Sequence, residues 1–370
     1  MSPIPLSFIL VLYVLGTAAQ NPKSRAEIAL GVLQTWYNGT SGIWDTCGWW
    51  NGANCMTVLT DLAMLDESVD QATRGVLENT FAVAPRSNPI PDRGRSTYYA
   101  NSNDAPSIAV KATPWLDGSY DDDAWWALAW IAAYDLTDNG NYLDLAVGIF
   151  DNLNQTGPSK CGQGGIYWDY NHAYVNAISN ELFLSVAAHL ANRVSGGDQY
   201  RDLAQRQWQW FRDSGMINDN STINDGLTDA CANNGGTIWS YNQGVVLGAL
   251  VELHQATSDS SYLDSAAEIA KAAIDVLADE NNVIRESCEP DSCDANATQF
   301  KGIFVRNLGQ LHSVAPDDKY EKVITASANS IWANDRNDAN QLGVNWAGPI
   351  GKVDASTHSS AMDALVAAIE

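Results

Sequence analysis

Positive charge is what this sequence has least of. Against 44 Asp and Glu it sets only 20 Lys and Arg, a formal net charge of −24. That imbalance excludes nucleic acid and anionic membrane surfaces as partners, because both require basic patches. Other absences narrow the chemistry. There is no Gly-x-Ser-x-Gly elbow, no His-Glu-x-x-His pair and no phosphate loop, so serine-hydrolase, zincin and nucleotide-hydrolase readings have no support. No Cys-x-x-Cys pair or histidine cluster suggests zinc, and no EF-hand loop suggests calcium. Strand-type alternation is scarce. Beyond the N-terminus no run is long and apolar enough to span a bilayer.

What is present begins with an apolar run, Leu6 to Gly16, followed by Thr17-Ala18-Ala19-Gln20. Small residues after a short apolar run read as a secretory signal peptide over residues 1–19. No Lys or Arg precedes Lys23. Residues 20–370 then form a single domain. The C-terminus, Val366-Ala367-Ala368-Ile369-Glu370, shows no lipid-anchor pattern. Secretion makes disulfides the expected state of six cysteines. The pairing predicted is Cys47 with Cys55, Cys288 with Cys293, and Cys161 with Cys231, although spacing alone permits others. Glycosylation sequons stand at Asn38, Asn154, Asn220 and Asn296.

Hydrophobic content of 45% supports a large core. Helical spacing dominates. Apolar helices are predicted from near Trp50, Asp122, Asn176, Tyr241, Phe300 and His358. More polar, amphipathic helices start near Ala26, Val69, Tyr142, Tyr200, Tyr262 and Tyr320, and the last four tyrosines recur at roughly 60 residues. Short turns within each pair imply antiparallel neighbours. The fold predicted is all-α, a closed (α/α)6 toroid of six inner and six outer helices. The first outer and the last inner helix, from opposite chain ends, would close it. An open helical solenoid is the alternative.

The stretch Tyr120-Asp121-Asp122-Asp123-Ala124-Trp125-Trp126 opens the second inner helix. Three readings fit it: a catalytic carboxylate pair, an over-built helix cap, and a metal site. Loops before the inner helices carry Trp44 and Trp49, Trp115, Trp168, Trp239 and Trp346. In a toroid these loops meet at one end. A rim of indoles there suits stacking against sugar rings. Neighbouring side chains at a helix start diverge by about 100°, which can leave two carboxyls roughly 5–6 Å apart, the separation of a retaining glycosidase. The histidines are scattered. His189, His254 and His312 fall near inner-helix C-termini and read as structural, whereas His358 reads as either a rim ligand or a cap.

The Asp-Asp-x-x-Trp-Trp run resembles the signature of glycoside hydrolase family 76. Val175 to Leu184, Tyr241-Asn242-Gln243-Gly244 and Phe300 to Arg306 resemble further blocks of that family, in order along nearly the whole mature chain. The resemblance implies an (α/α)6 endo-α-1,6-mannanase, retaining, with no required metal or cofactor. It implies Asp121 as nucleophile and Asp122 as acid/base, with Asp123 as a spare cap. Candidate sugar contacts are Tyr120, Trp168, Asn180, Glu181, Trp239, Tyr241, Asn242, Gln243 and Lys301. The partner implied is mannan or another α-1,6-mannose polysaccharide, bound by a monomer with no membrane span, secreted or cell-wall associated. Alternatives are a cell-wall transglycosylase and a non-catalytic mannan-binding protein.

Overall fold

A computed structural model describes residues 21–90 and 112–369. The predicted signal peptide and residues 91–111 lie outside the described residues. Twelve α-helices are present among them. The inner helices are α2 (Trp49–Leu65), α4 (Tyr120–Thr137), α6 (Ala177–Arg193), α8 (Ser240–Thr257), α10 (Phe300–Val314) and α12 (Ala355–Ala367). The outer helices are α1 (Pro22–Leu33), α3 (Glu67–Val83), α5 (Gly140–Asn154), α7 (Asp198–Asp213), α9 (Ser261–Leu277) and α11 (Asp318–Asn334). One short hairpin, β1 (Tyr37–Asn38) with β2 (Ile43–Trp44), precedes α2.

The two helix classes follow from their sequences. Inner helices are buried on nearly every side; α8 buries Asn242 through Leu253 without a break. A helix that is apolar all round belongs inside a core. Outer helices bury one stripe, such as Tyr200, Ala204, Gln207, Trp208 and Phe211 of α7. The recurring tyrosines, Tyr142, Tyr200, Tyr262 and Tyr320, are all buried at outer-helix starts.

Each inner helix packs on the next, and α12 packs on α2, so the ring is closed. The N-terminal α1 lies against α12, as expected for a ring shut by its chain ends. His358 makes that joint. It is fully buried, accepts the Leu342 amide on Nδ1 at 3.0 Å and donates from Nε2 to the Ala29 carbonyl at 2.8 Å. It is therefore neither a rim ligand nor a cap; its backbone position at the start of α12 misleads because the ring points toward α1. Burial pushes its pKa down to about 4, which keeps it neutral for both bonds. His189, His254 and His312 do hold structural contacts near inner-helix C-termini.

Small residues set the closest crossings. A Cβ on Gly244 would lie 2.5 Å from Phe304 Cα, and one on Gly302 would lie 2.4 Å from the Ser360 carbonyl. Two arginines stitch the inner ring. Arg193 of α6 pairs with Asp135 of α4 and Glu252 of α8; Arg306 of α10 reaches Asp363 of α12 and Asn54 of α2. They border an axial cavity of about 300 Å³ on the side away from the inner-helix N-termini, with Trp125 at its inner end.

Disulfides join Cys161 to Cys231 and Cys288 to Cys293, as expected. Cys47 and Cys55 are free thiols, contrary to the predicted pairing. Each is directed to a backbone carbonyl, Cys47 to Trp44 at 3.3 Å and Cys55 to Ala355 at 3.8 Å. The two sulfurs also contact each other without a bond.

Candidate active site

The loops before the inner helices are bonded into a collar. Tyr120 N–H donates to Trp168 O and Tyr170 N–H to Gly118 O, tying the start of α4 to the 155–176 loop. Ala177 N–H donates to Asp225 O and Leu227 N–H to Val175 O, tying that loop to the next. Inside the collar lies a cleft of about 390 Å³.

Asp121 and Asp122 face this cleft together. Trp168 donates its indole N–H to Asp121 Oδ2 at 2.9 Å. Burial pushes Asp121 up to about 7; the Trp168 bond and backbone amides oppose that, and the nearby Asp117 charge adds to it. Burial pushes Asp122 well above the usual carboxylate range, and the Asp121 and Asp117 charges push it further. Both sit in the first turn of α4, where the helix dipole favours negative charge. Asp123 turns away. It is fully buried and accepts the Asp117 amide at 3.0 Å and the Tyr170 hydroxyl at 3.3 Å. It thus fastens the loop before the helix and is not a spare cap.

One wall is aromatic. Tyr241 stacks on Phe300 with ring centroids 3.7 Å apart, and Trp50 stacks near Trp125 at 5.7 Å. Trp239 packs edge-on to Phe300. Across from these, Trp168 is 42% exposed. Two more carboxylates, Asp225 and Asp294, line the cleft, and Tyr174 donates its hydroxyl to Asp225 at 2.5 Å. No lysine or arginine among the described residues lines it. Such a site favours a polar, uncharged ligand on which positive charge develops.

Of the residues singled out in the sequence, the cleft gathers Asp121, Asp122, Trp168, Trp239 and Tyr241. The others lie outside the cleft lining. Lys301 is buried, forms an ion pair with buried Glu289, donates to the Val344 carbonyl at 2.7 Å and lies over Trp346. Its long stem carries the charge away from the cleft. Asn180 brackets the Ile166 backbone with both ends of its amide, and Gln243 does the same for Ile223. These amides bind loop backbone, and neither residue lines the cleft. Glu181 and Asn242 are fully buried, with no hydrogen-bond partner for either side chain among the described residues. Tyr120 is buried against Tyr170 and bonds His172. Trp44, Trp49, Trp115 and Trp346 are core residues, not stacking platforms; Trp49 and Trp115 pack on Trp126.

Sequence reasoning missed Trp50, Trp125, Asp225 and Asp117. Trp50 sits in the first turn of α2 and Trp125 in the second turn of α4, one turn beyond Asp121. Asp225 and Asp117 each precede a glycine in a loop, which reads as turn chemistry and nothing more.

Comparison with known proteins agrees with this architecture. A relative from Schizosaccharomyces pombe is 32% identical over 238 residues, which are 60% of this chain and 53%, about half, of that protein's length. The Candida albicans mannan endo-1,6-alpha-mannosidase DFG5 is 25% identical over 360 residues, 90% of this chain and 75% of its own. Among solved structures, the GH76A alpha-1,6-mannanase of Salegentibacter sp. superposes with a TM-score of 0.75 at 24% identity, covering 94% of this chain and 99% of that one. This likeness establishes the toroid. Residues 21–370 match the profile of Glycosyl hydrolase family 76, and with that match over nearly the whole chain it belongs to glycosyl hydrolase family 76.

Proposed function

We propose that this chain is a retaining endo-α-1,6-mannosidase, with Asp121 as nucleophile and Asp122 as acid/base. The observation that carries the reading is the adjacent carboxyl pair with split environments in a cleft free of basic side chains. Asp121 receives an indole N–H and ionises first. Asp122, pressed by burial and two like charges, keeps its proton. Acid/base chemistry needs two carboxyls in such different states. The transition state resembles an oxocarbenium ion, and the anionic cleft opposes no part of that charge. Trp168, Trp239 and Tyr241 offer faces for mannose rings.

In the first step Asp122 gives its proton to the glycosidic oxygen as that bond breaks, and Asp121 forms an ester to the anomeric carbon. In the second, water loses a proton to Asp122, adds to the anomeric carbon, and Asp121 departs as carboxylate. Relatives support the substrate. The Salegentibacter mannanase has an inactive variant, with two consecutive aspartates changed to asparagine, in complex with α-1,6-mannotriose. Two disulfides and exposed sequons at Asn154 and Asn220 support a place outside the cytosol.

The test is incubation with linear α-1,6-mannan, following product length and anomer by NMR. Internal cleavage with the α-anomer appearing first is expected. A β-anomer first would overturn retention, and no cleavage would overturn the activity. Products longer than the substrate would mean that a sugar hydroxyl replaces water. Asp122→Asn should lose about 10²–10⁴-fold in rate on mannan, the usual scale for a general acid/base.

A further inference from the structure

One of the glycosylation sequons opens onto the cleft. We propose that Asn296 carries an N-linked oligosaccharide that stands at the cleft mouth and screens the site from long polymer. The consequence for mannan rests on the reading of this cleft as the mannan site.

The sequons differ in their surroundings. Asn38 is half-buried and engaged at both ends of its amide: Oδ1 accepts the Thr40 amide at 3.0 Å and Nδ2 donates to Asp45 at 3.2 Å. Asn154 ends outer helix α5 and Asn220 lies in the loop after outer helix α7; neither lines the cleft. Asn296 alone among them is both exposed and part of the cleft wall, with Trp50, Asp294 and Phe300.

The chain holds Asn296 in place. The Cys288–Cys293 disulfide closes the loop just before it. Asp294 Oδ1 accepts the Asn296 and Ala297 amides at 2.9 and 2.8 Å, the local turn chemistry of an aspartate. Gln299 N–H donates to the Asn296 carbonyl at 3.0 Å. Thr298 completes the sequon; its buried hydroxyl donates to the Ala295 carbonyl at 2.9 Å and bonds Ser356 at 3.0 Å. Trp50 donates its indole N–H to Asn296 Oδ1 at 3.1 Å. That bond uses the carboxamide oxygen, whereas glycosylation uses the nitrogen. The two are compatible, and the indole fixes the amide from which the oligosaccharide grows.

Attachment balances without any group from this chain beyond the asparagine. Nδ2 gives up one proton to a base of the transferring enzyme and bonds to the anomeric carbon of a lipid-linked diphosphate oligosaccharide. The bond from that carbon to the diphosphate breaks, and the diphosphate leaves with the electron pair. Transfer acts on the chain before it folds, so the contacts above do not oppose it. An N-linked oligosaccharide is bulky and stays hydrated at the surface. Rooted beside Trp50, it fills the mouth on that side. A long mannan extends beyond the cleft and meets it. A substrate short enough to sit within about 390 Å³ does not.

The experiment uses the full chain secreted from a eukaryotic host whose N-glycans are mannose-rich. Mass spectrometry of the Asn296 peptide should show the oligosaccharide; an unmodified peptide overturns the proposal. Next, kcat/KM is measured before and after an endoglycosidase trims every glycan to its first sugar. The substrates are linear α-1,6-mannan and a dinitrophenyl α-1,6-mannobioside. Trimming should raise the mannan value about threefold or more, through KM, since the removed group opposes binding and touches no reacting atom. The short substrate should stay within about twofold. Thr298→Val removes the sequon and leaves Asn296 in place, so trimming that variant should gain nothing. No gain on mannan, an equal gain on both substrates, or the same gain in Thr298→Val would each overturn the proposal. If Thr298→Val does not fold, Asn296→Gln carries the same before-and-after comparison. Cleavage of mannan by no form would instead strike the reading of the cleft. Radical footprinting, which needs no activity, then decides: Trp50 should label faster after trimming in the wild type and not in Thr298→Val, and an unchanged Trp50 overturns the screen.

Discussion

The indole N–H of Trp168 points at Asp121, 2.9 Å from its Oδ2. One side chain thus offers an exposed face to the cleft and a polar edge to a carboxylate. The bond favours the ionised form of Asp121, against burial, which pushes that carboxyl up to about 7. Trp168→Phe keeps the face and removes the donor. The pKa of Asp121 should then rise, and the acid limb of the mannan kcat/KM profile should move to higher pH. A hydrogen bond to a charged group contributes about 1.5–3 kcal/mol, so activity at neutral pH should fall about tenfold or more. A variant with the wild-type limb would show that the edge contact is incidental.

Lys301 and Glu289 form a buried pair at the base of the loop that carries Asp294 and Asn296 into the cleft. Lys301→Met leaves Glu289 buried with Arg285 and the Glu286 amide as its remaining partners. Breaking a buried pair from one side costs about 3–5 kcal/mol. Urea denaturation should show a loss of that order, and KM for mannan should stay near wild type wherever the variant is folded. A raised KM with unchanged stability would return Lys301 to the list of sugar contacts.

Stability should fall as pH rises from about 4 to about 7. Burial raises Glu286 and Asp335 to about 7 from ordinary values of 4.5 and 3.8, and Asp363 to about 6. A carboxyl raised in the folded state contributes stability that is full below its unfolded pKa and is lost as pH climbs through the folded one. His358, lowered to about 4 from 6.5, works the other way and loses its contribution as pH falls through that window. His189, also lowered by burial, acts with it; these are two groups against several, and self-repulsion from the net charge of −24 also grows with pH. Thermal denaturation at pH 5 and pH 7.5 checks this; a higher midpoint at pH 7.5 contradicts it.

The Cys161–Cys231 bond closes a loop of 70 residues between the two segments that flank the cleft on the α6 side. Replacing both with serine should cost about 4 kcal/mol if chain entropy dominates. Calorimetry of the double variant measures it. A matching replacement of Cys288 and Cys293, five residues apart, should cost less and act mainly on the Asp294 side of the cleft.

Much of this molecule was legible in its sequence for a definite reason. The tyrosines at outer-helix starts are repeated buried contacts, so the repeat that places them also places the helices. Asp121 and Asp122 stood out because the Asp-Asp-x-x-Trp-Trp run resembles a family signature, and both line the cleft, whereas Asp123 beside them is structural. The polar contacts were not. Asn180, Gln243 and Lys301 sit in inner-helix first turns, as cleft residues do, but a long side chain can reach away from the axis and bond the loop behind it. Backbone position does not reveal that choice. Nor did the rim tryptophans announce which would pack inward; Trp49 and Trp50 are neighbours, yet one joins Trp126 in the core and the other faces the cleft.

Trp125 touches both the cleft and the cavity on the far side of the ring. Its indole therefore stands between the two cavities. A polymer cannot thread such a ring like a bead. A chain bound in the cleft enters and leaves by the same face.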